Sequence, residues 1–140
     1  MSCEPYHLLE LAERLVEDSE ASEVQLRCAV SRAYYAALHS VFCVFPKLED
    51  DVRIDGESSH AEIIGRVKKY GNSLQPGRTA AASVAKKLPR LRRERNTADY
   101  DLEEEIAREA VLEIIERVKA VLHGCEEVIR LREAAERKVG

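Results

Sequence analysis

Two clusters of polar and aromatic side chains interrupt an otherwise regular helical sequence. The first is SRAYYAALH at 31–39, and the second is RRERNTADYD at 92–101. Arginine can bind a phosphate group through two parallel hydrogen bonds, and histidine can accept or donate a proton near neutral pH. A helical bundle needs only apolar stripes and charged outer faces to fold. We therefore interpret the two clusters as a paired site.

The first cluster forms a polar stripe if the segment is helical. Successive helical residues turn by about 100°, so Arg32, Tyr35 and His39 fall within roughly 60° of one another. Tyr34 and its small neighbours then face the core. A purely structural interpretation stays open, in which Arg32 pairs with a carboxylate, Tyr35 hydrogen-bonds at a boundary and His39 lies in a rim.

The second cluster is predicted to lie just ahead of the last helix. Unpaired backbone amides and the helix dipole favour anions there, and Arg95 can bind a phosphate bidentately, with Arg92 and Arg93 adding positive charge. The structural alternative is that Arg95 and Asp99 form a salt bridge. Tyr100 would then pack against the second helix, and the other arginines would be a solvated face.

Composition indicates one all-α domain over residues 1–140. By surface-to-volume scaling, a chain of this length buries about 68% of its unfolded surface. Hydrophobic residues make up 45% of the chain and charged residues 34%, with 6 Gly and 4 Pro, which excludes collagen-like and disordered classes. The net charge is -4, so any nucleic-acid binding must be local.

The cysteines and the N-terminus bear on cofactors and location. Four cysteines lie far apart without a Cys-x-x-Cys pair, so we predict neither a metal site nor a disulfide framework, and no cofactor is indicated. Reduced thiols fit a cytoplasmic protein. The chain shows no signal-like start and no apolar run near the roughly 20 residues that span a bilayer, so we expect no membrane association.

Capping patterns and apolar spacing predict the first three helices. Ser2 is expected to cap a helix that ends near Asp18, with Pro5 in its opening turn. Ser22 and Gln25 form a capping box for a second helix that runs to Phe45 and stops at Pro46. Residues 46–57 indicate an exposed connection, and a third helix is predicted from the Ser59–Glu62 capping pattern to Gly71.

The remainder predicts a shorter helical piece and a long final helix. Residues 79–87 are expected to be helical and to be disturbed or restarted at Pro89. Asp101 and Glu104 suggest the cap of a last helix over 102–138, about 55 Å long if continuous, with Gly124 as a bend. Apolar residues at alternating spacings of four and three form its packing seam. These elements predict an up-and-down bundle of four to five helices.

The two clusters together resemble the HEPN superfamily of small helical bundles. The likeness rests on Arg-Ala-Tyr-Tyr-Ala-x-x-His at 32–39 and on Arg-x-x-Ala-Asp-Tyr at 95–100. It extends over nearly the whole chain and includes His60 at the start of the third helix. The resemblance implies a homodimer, often encoded beside a small nucleotidyltransferase in toxin–antitoxin pairs. Many members cleave RNA without a metal.

One departure from the family pattern affects the chemistry. In the family's nucleases the active motif is Arg, four to six residues, then His, with one copy from each subunit meeting at the dimer cleft. Here Tyr100 stands at the first position where that histidine is expected, so the motif is not intact. Tyrosine, with a reference pKa near 10, is a poor base at neutral pH. We hypothesise that His39 replaces the histidine in space.

Three functions follow as hypotheses. In the first, an RNA-directed toxin or defence protein uses Arg95 and Arg32 to bind phosphate, His39 and Tyr100 to handle protons or position the 2′-hydroxyl, and Asp99 to orient. The second makes the clusters a non-catalytic cleft for RNA or nucleotide, or a docking surface for a nucleotidyltransferase. In the third, an adaptor uses the clusters only to stabilise a dimer.

Overall fold

A computed structural model describes residues 2–45 and 57–139 of the chain as a bundle of five helices. The helices are α1 (Pro5–Glu17), α2 (Glu23–Val44), α3 (Glu57–Gly71), α4 (Arg78–Tyr100) and α5 (Arg108–Val139). No strand occurs in these residues, which confirms the predicted all-α class. The stop at Pro46 and the predicted connection at 46–57 lie outside the described residues, except for Glu57, which begins α3.

The second helix is the centre of the bundle. α2 packs against each of the other four helices, and α4 also packs on α3 and α5. The apolar side of α2 is fully buried, including Ala33, Tyr34, Ala37 and Leu38. The opposite edge of this helix carries the polar stripe of the first cluster, so the core fixes the orientation of that stripe.

Local capping explains where the first helices begin. The Ser22–Gln25 capping box is confirmed, since the Gln25 amide donates to Ser22 Oγ at 3.2 Å and the Ser22 amide donates to Gln25 Oε1 at 3.0 Å. The first helix is capped by Glu4 rather than Ser2, because the Glu4 amide donates to His7 Nδ1 at 2.8 Å. Ser59 lies inside α3, which begins at Glu57, so the predicted cap at Ser59 is wrong.

The fourth helix runs without interruption through Pro89, and the predicted disturbance or restart there is wrong. Pro89 is exposed, while Leu88 and Leu91 beside it are buried in the core. A proline removes one backbone hydrogen bond from a helix, and packing on both sides of it compensates here. The second cluster therefore lies on the C-terminal half of α4.

The last helix begins at Arg108, six residues later than the prediction of 102. Asp101 ends α4 instead of starting α5, since its amide donates to the Thr97 carbonyl at 3.0 Å. The 32 residues of α5 extend about 48 Å at 1.5 Å per residue. The predicted seam is confirmed from Val111 to Val128, whose alternating members are buried.

Candidate functional site

The guanidinium group of Arg27, on α2, contacts the end of α4 and so determines where the second cluster lies. Arg27 of α2 is buried and donates to the carbonyls of Thr97 at 3.3 Å, Ala98 at 2.9 Å and Asp101 at 3.1 Å. The same side chain also donates to the Glu104 carbonyl and pairs with Glu23. A helix C-terminus has unpaired carbonyls and negative dipole charge, so a buried cation there both caps α4 and holds the turn after it.

The second cluster lies at the C-terminus of a helix, whereas the predicted phosphate site needs a helix N-terminus. Arg95 to Tyr100 form the last two turns of α4, so the local backbone presents carbonyls rather than free amides. The expected contribution of a helix N-terminus to anion binding is therefore wrong. Any anion bound at this cluster must be held by side chains.

Tyr35 joins the two clusters. Arg95 Nη2 donates to the Tyr35 hydroxyl at 2.8 Å, across the interface of α2 and α4. The guanidinium carbons of Arg95 and Arg32 lie 5.2 Å and 5.4 Å from the centroid of the Tyr35 ring. The structure thus brings Arg32, Tyr35 and Arg95 to one place.

Arg95 is buried and fully engaged. Only 5% of it is exposed, its Nε lies 2.9 Å from Asp99 Oδ2, and its Nη1 donates to Asn96 Oδ1 at 2.9 Å. The ion pair of Arg95 with Asp99, offered above as the structural alternative, is present. Arg95 therefore holds the surrounding side chains in position and has no nitrogen left over for a ligand in this conformation.

Arg32 has a different environment. Its Nη2 donates to Ser31 Oγ at 3.4 Å, and Ser31 Oγ in turn donates to Asp99 Oδ2 at 3.4 Å. No carboxylate forms an ion pair with Arg32 among the residues that the structure describes, so the alternative of an Arg32–carboxylate pair is wrong. This partly buried cation is available to an anionic ligand.

His39 lies at the other end of the stripe. Its ring is partly buried, with its centroid 6.3 Å from that of Tyr35. Burial, and secondly the positive charge of Arg32, lower the pKa of His39 below its ordinary value of 6.5. The imidazole is therefore neutral at physiological pH and can accept a proton.

His60 lies beneath the stripe, in the core. The ring is buried, its Nδ1 is 2.9 Å from the Tyr34 hydroxyl, and its centroid is 5.9 Å from that of Tyr35. Tyr34 faces the core as predicted and stacks on His60 at 5.7 Å. This arrangement supports the ring of Tyr35 from below and places His60 behind the site.

Tyr100 forms the exposed edge of the cluster. The side chain is 70% exposed, so the alternative in which it packs against the second helix is wrong. Its ring centroid lies 5.4 Å from the guanidinium carbon of Arg95, and the ring lines an open depression of about 620 Å³ together with Asn96, Thr97 and Asp101. Arg93 is exposed on the same helix, and Arg92 is partly buried.

Sequence reasoning missed three members of this site. Arg27 holds the end of α4. Ser31 contacts Asp99, and Asn96 contacts Arg95. Ser31 and Asn96 are immediate neighbours of predicted residues, which could have drawn attention to them. Nothing in the sequence around Arg27 indicates that it reaches 71 positions along the chain.

The assembled surface can bind an anion and exchange a proton. A cation without a carboxylate partner among the described residues and a partly buried imidazole lie beside the ring of Tyr35, and the exposed phenol of Tyr100 lies beside Arg95. No cluster of three or more metal-ligating side chains occurs in residues 2–45 and 57–139. In the same ranges, no helix has both the length and the apolarity to cross a bilayer.

Comparisons with protein-family models, with curated proteins and with solved structures gave no match to this chain.

Proposed function

We propose that this chain is a HEPN-like protein directed at RNA, with the phosphodiester bound over the ring of Tyr35. The observation that carries the proposal is the convergence of the two clusters, through the 2.8 Å hydrogen bond from Arg95 to Tyr35. The net charge of -4 restricts RNA to this locally basic surface. The resemblance of both clusters to the family motifs supplies the substrate class.

Each side chain has a role in a metal-independent cleavage. Arg32 binds the phosphate, and neutral His39 accepts the proton of the ribose 2′-hydroxyl as the bond from O2′ to phosphorus forms. The bond from phosphorus to O5′ breaks, which leaves a 2′,3′-cyclic phosphate, and the leaving oxygen takes a proton from Tyr100. Tyr100 then recovers a proton from solvent, and His39 releases its proton to solvent. Arg95 and Asp99 keep their contacts with neighbouring side chains and so hold these groups in position.

The family resemblance also suggests the assembly. We infer a homodimer, in which the exposed edge at Tyr100 faces a cleft shared by two copies. A minimal nucleotidyltransferase is the candidate protein partner, and the cytoplasm is the candidate compartment. These proposals rest on the motifs at 32–39 and 95–100.

A non-catalytic RNA-binding module is the second candidate function. The observation that favours it is the occupancy of Arg95, whose guanidinium is held by Asp99, Asn96 and Tyr35. A phosphoryl transition state gains negative charge and needs cations that can reach it. If Arg32 alone reaches the phosphate, binding is retained and the reaction is slow.

End-labelled single-stranded RNA separates these possibilities. Cleavage and fluorescence anisotropy are measured for the wild type and for the Arg32→Gln, His39→Gln and Arg95→Ala variants, and the mass in solution reports the dimer. We expect His39→Gln to abolish cleavage and retain binding. Arg32→Gln should weaken binding and reduce the slope of log affinity against log salt by about one phosphate contact.

Arg130→Gln is the matched control, because Arg130 is an exposed arginine on α5 that pairs with Glu127. It removes the same charge far from the cluster and should leave both measurements unchanged. Binding without cleavage in the wild type would select the non-catalytic module. Absence of both, or equal losses for Arg32→Gln and Arg130→Gln, would contradict the proposed function.

A further inference from the structure

A second cavity lies away from the RNA-directed cluster, between the end of α2, α3 and the C-terminal part of α5. Its volume is about 810 Å³, and much of its wall is apolar, formed by Phe45, Tyr70, Pro76, Ala135 and Val139. Phe45 and Tyr70 meet edge to face with their ring centroids 5.2 Å apart. An apolar group of several carbon atoms fits against such a wall.

Arg132 of α5 borders this cavity with an unsatisfied guanidinium. Its Nε donates to the Tyr70 hydroxyl at 3.0 Å, and its Nη1 donates to the Val44 carbonyl at 2.5 Å. Its Nη2 is buried and has no hydrogen-bond partner. No carboxylate forms an ion pair with Arg132 within the described part of the chain, so its positive charge is not neutralised.

Arg66 of α3 lines the same cavity and also has a guanidinium nitrogen without a hydrogen-bond partner. Its Nη2 pairs with Glu62 at 2.9 Å, but its Nη1 is buried and has no hydrogen-bond partner. A buried charged donor without an acceptor costs free energy, and structures rarely retain one without a reason. Arg66 and Arg132 both line the cavity, so an acceptor with negative charge that enters it can pair with their guanidinium groups.

We infer that this cavity binds a small amphipathic carboxylate, such as a medium-chain fatty acid or an aryl carboxylate. The carboxylate accepts hydrogen bonds from Arg66 and Arg132, and the hydrocarbon part packs against Phe45 and Ala135. Lys69 adds a further positive charge, and Glu136 is the single carboxylate among the described lining residues. This inference is independent of the RNA-directed function.

Several polar groups of the cavity wall already have partners within the protein, which favours a hydrocarbon body over a nucleotide base. The Tyr70 hydroxyl donates to the Pro76 carbonyl at 2.7 Å, and Ser73 Oγ donates to the Tyr70 carbonyl at 2.6 Å. Ser73 Oγ also accepts from the Gln75 amide at 3.1 Å. A base would leave its polar edge unpaired against these engaged groups, whereas an alkyl chain has none to pair.

Octanoate is the test ligand, measured by its displacement of the fluorescent aryl sulfonate 8-anilinonaphthalene-1-sulfonate from the folded protein. Octanol and octylamine have the same chain without the negative charge, and adenosine monophosphate tests a nucleotide. We expect octanoate to displace the probe at concentrations at least about tenfold lower than the other three. Equal displacement by octanol, or tighter displacement by the nucleotide, would overturn the inference.

Two variants assign the binding to this cavity. Arg66→Met removes one cation of the cavity wall, whose ion pair with Glu62 lies at the surface. Ala135→Phe fills the cavity with a ring. Each should weaken octanoate about tenfold or more, while Arg130→Met, which removes a cation elsewhere on α5, leaves it unchanged. Circular dichroism verifies that each variant is folded. An unchanged octanoate affinity in both folded variants would refute the site, and RNA binding by Arg66→Met reports the other function separately.

Discussion

The guanidinium of Arg27 on α2 donates to the carbonyl of Ala98 on α4 at 2.9 Å, in the buried interface between these helices. The same guanidinium satisfies several other carbonyls at the end of α4 and in the following turn. A single side chain therefore ends one helix, fixes the turn before α5, and sets the position of Asp99 and Tyr100 relative to α2.

Arg27→Met should destabilise the protein by about 3 kcal/mol, because the buried carbonyl of Ala98 and the partly buried carbonyls of Leu102 and Glu104 lose their guanidinium donor. The last turn of α4 should also fray. The free energy of unfolding is measured by urea denaturation, and hydrogen exchange of the amides at 97–101 reports the fraying. Arg93→Met is the control on exposed α4 surface and should change stability by less than about 0.5 kcal/mol. Equal stabilities for the two variants would contradict the capping role.

Tyr35→Phe tests the connection between the two clusters. It removes the hydroxyl that accepts from Arg95 Nη2 while keeping the ring, so the expected loss of stability is about 1–2 kcal/mol. RNA binding should weaken as well, since Arg95 loses the hydroxyl that anchors its Nη2. Tyr6→Phe, at a half-exposed position on α1, should alter neither quantity. A neutral Tyr35→Phe would show that the hydrogen bond does not position Arg95.

His39 makes stability depend on pH. Its folded-state pKa lies below the ordinary 6.5, first because of burial and then because of Arg32. Above 6.5 both folded and unfolded chains carry neutral His39, and stability from this residue is complete. As the pH falls, the unfolded chain takes up the proton first, so stability is lost between 6.5 and the folded-state pKa.

Urea denaturation from about pH 8 to about pH 5 measures this effect in the wild type and in His39→Gln. The variant should lose less stability on acidification, and the difference between the two proteins should be constant above the ordinary pKa. If cleavage is observed, its acidic limb should lie below 6.5 for the same reason. Parallel stability curves for the two proteins would contradict the lowered pKa.

Local signals in the sequence predicted much of the bundle. The Ser22–Gln25 box lies within four residues, and the seam of α5 repeats over many turns, so both are visible without tertiary structure. The C-terminal end of α4 and the start of α5 were missed because both depend on Arg27, which is distant in sequence. Pro89 misled for a related reason, since core packing on either side outweighs its local cost.

Several members of the candidate site were predictable, but Arg27 and the arrangement of the site were not. The stripe of Arg32, Tyr35 and His39 follows from helical spacing alone. The i,i+4 pair of Arg95 with Asp99 also follows from helical spacing. That Arg95 points at Tyr35, while no carboxylate of the described residues pairs with Arg32, depends on how α4 crosses α2. Sequence spacing within one helix contains no information about that crossing.

A close approach of α4 to α5 gives a final prediction, at Gly124. A Cβ atom built there would lie 2.4 Å from Val84 Cγ2, so the absence of a side chain lets the two helices meet. Gly124→Ala forces this stiff, β-branched neighbour or the helix itself to move, and should destabilise the protein by about 1–3 kcal/mol despite the better helix propensity of alanine. Thermal and urea unfolding measure the change.

Gly65 provides the matched control for this substitution, because it also lies inside a helix but has nothing within 4 Å of its Cβ position. There only the propensity matters, and Gly65→Ala should stabilise the protein by up to about 1 kcal/mol. The two substitutions are chemically identical, so opposite signs isolate the steric contact with Val84. In a Val84→Ala background the penalty at Gly124 should shrink, since the clashing methyl group is gone. A Gly124→Ala protein as stable as Gly65→Ala would mean that α4 and α5 do not approach this closely in solution.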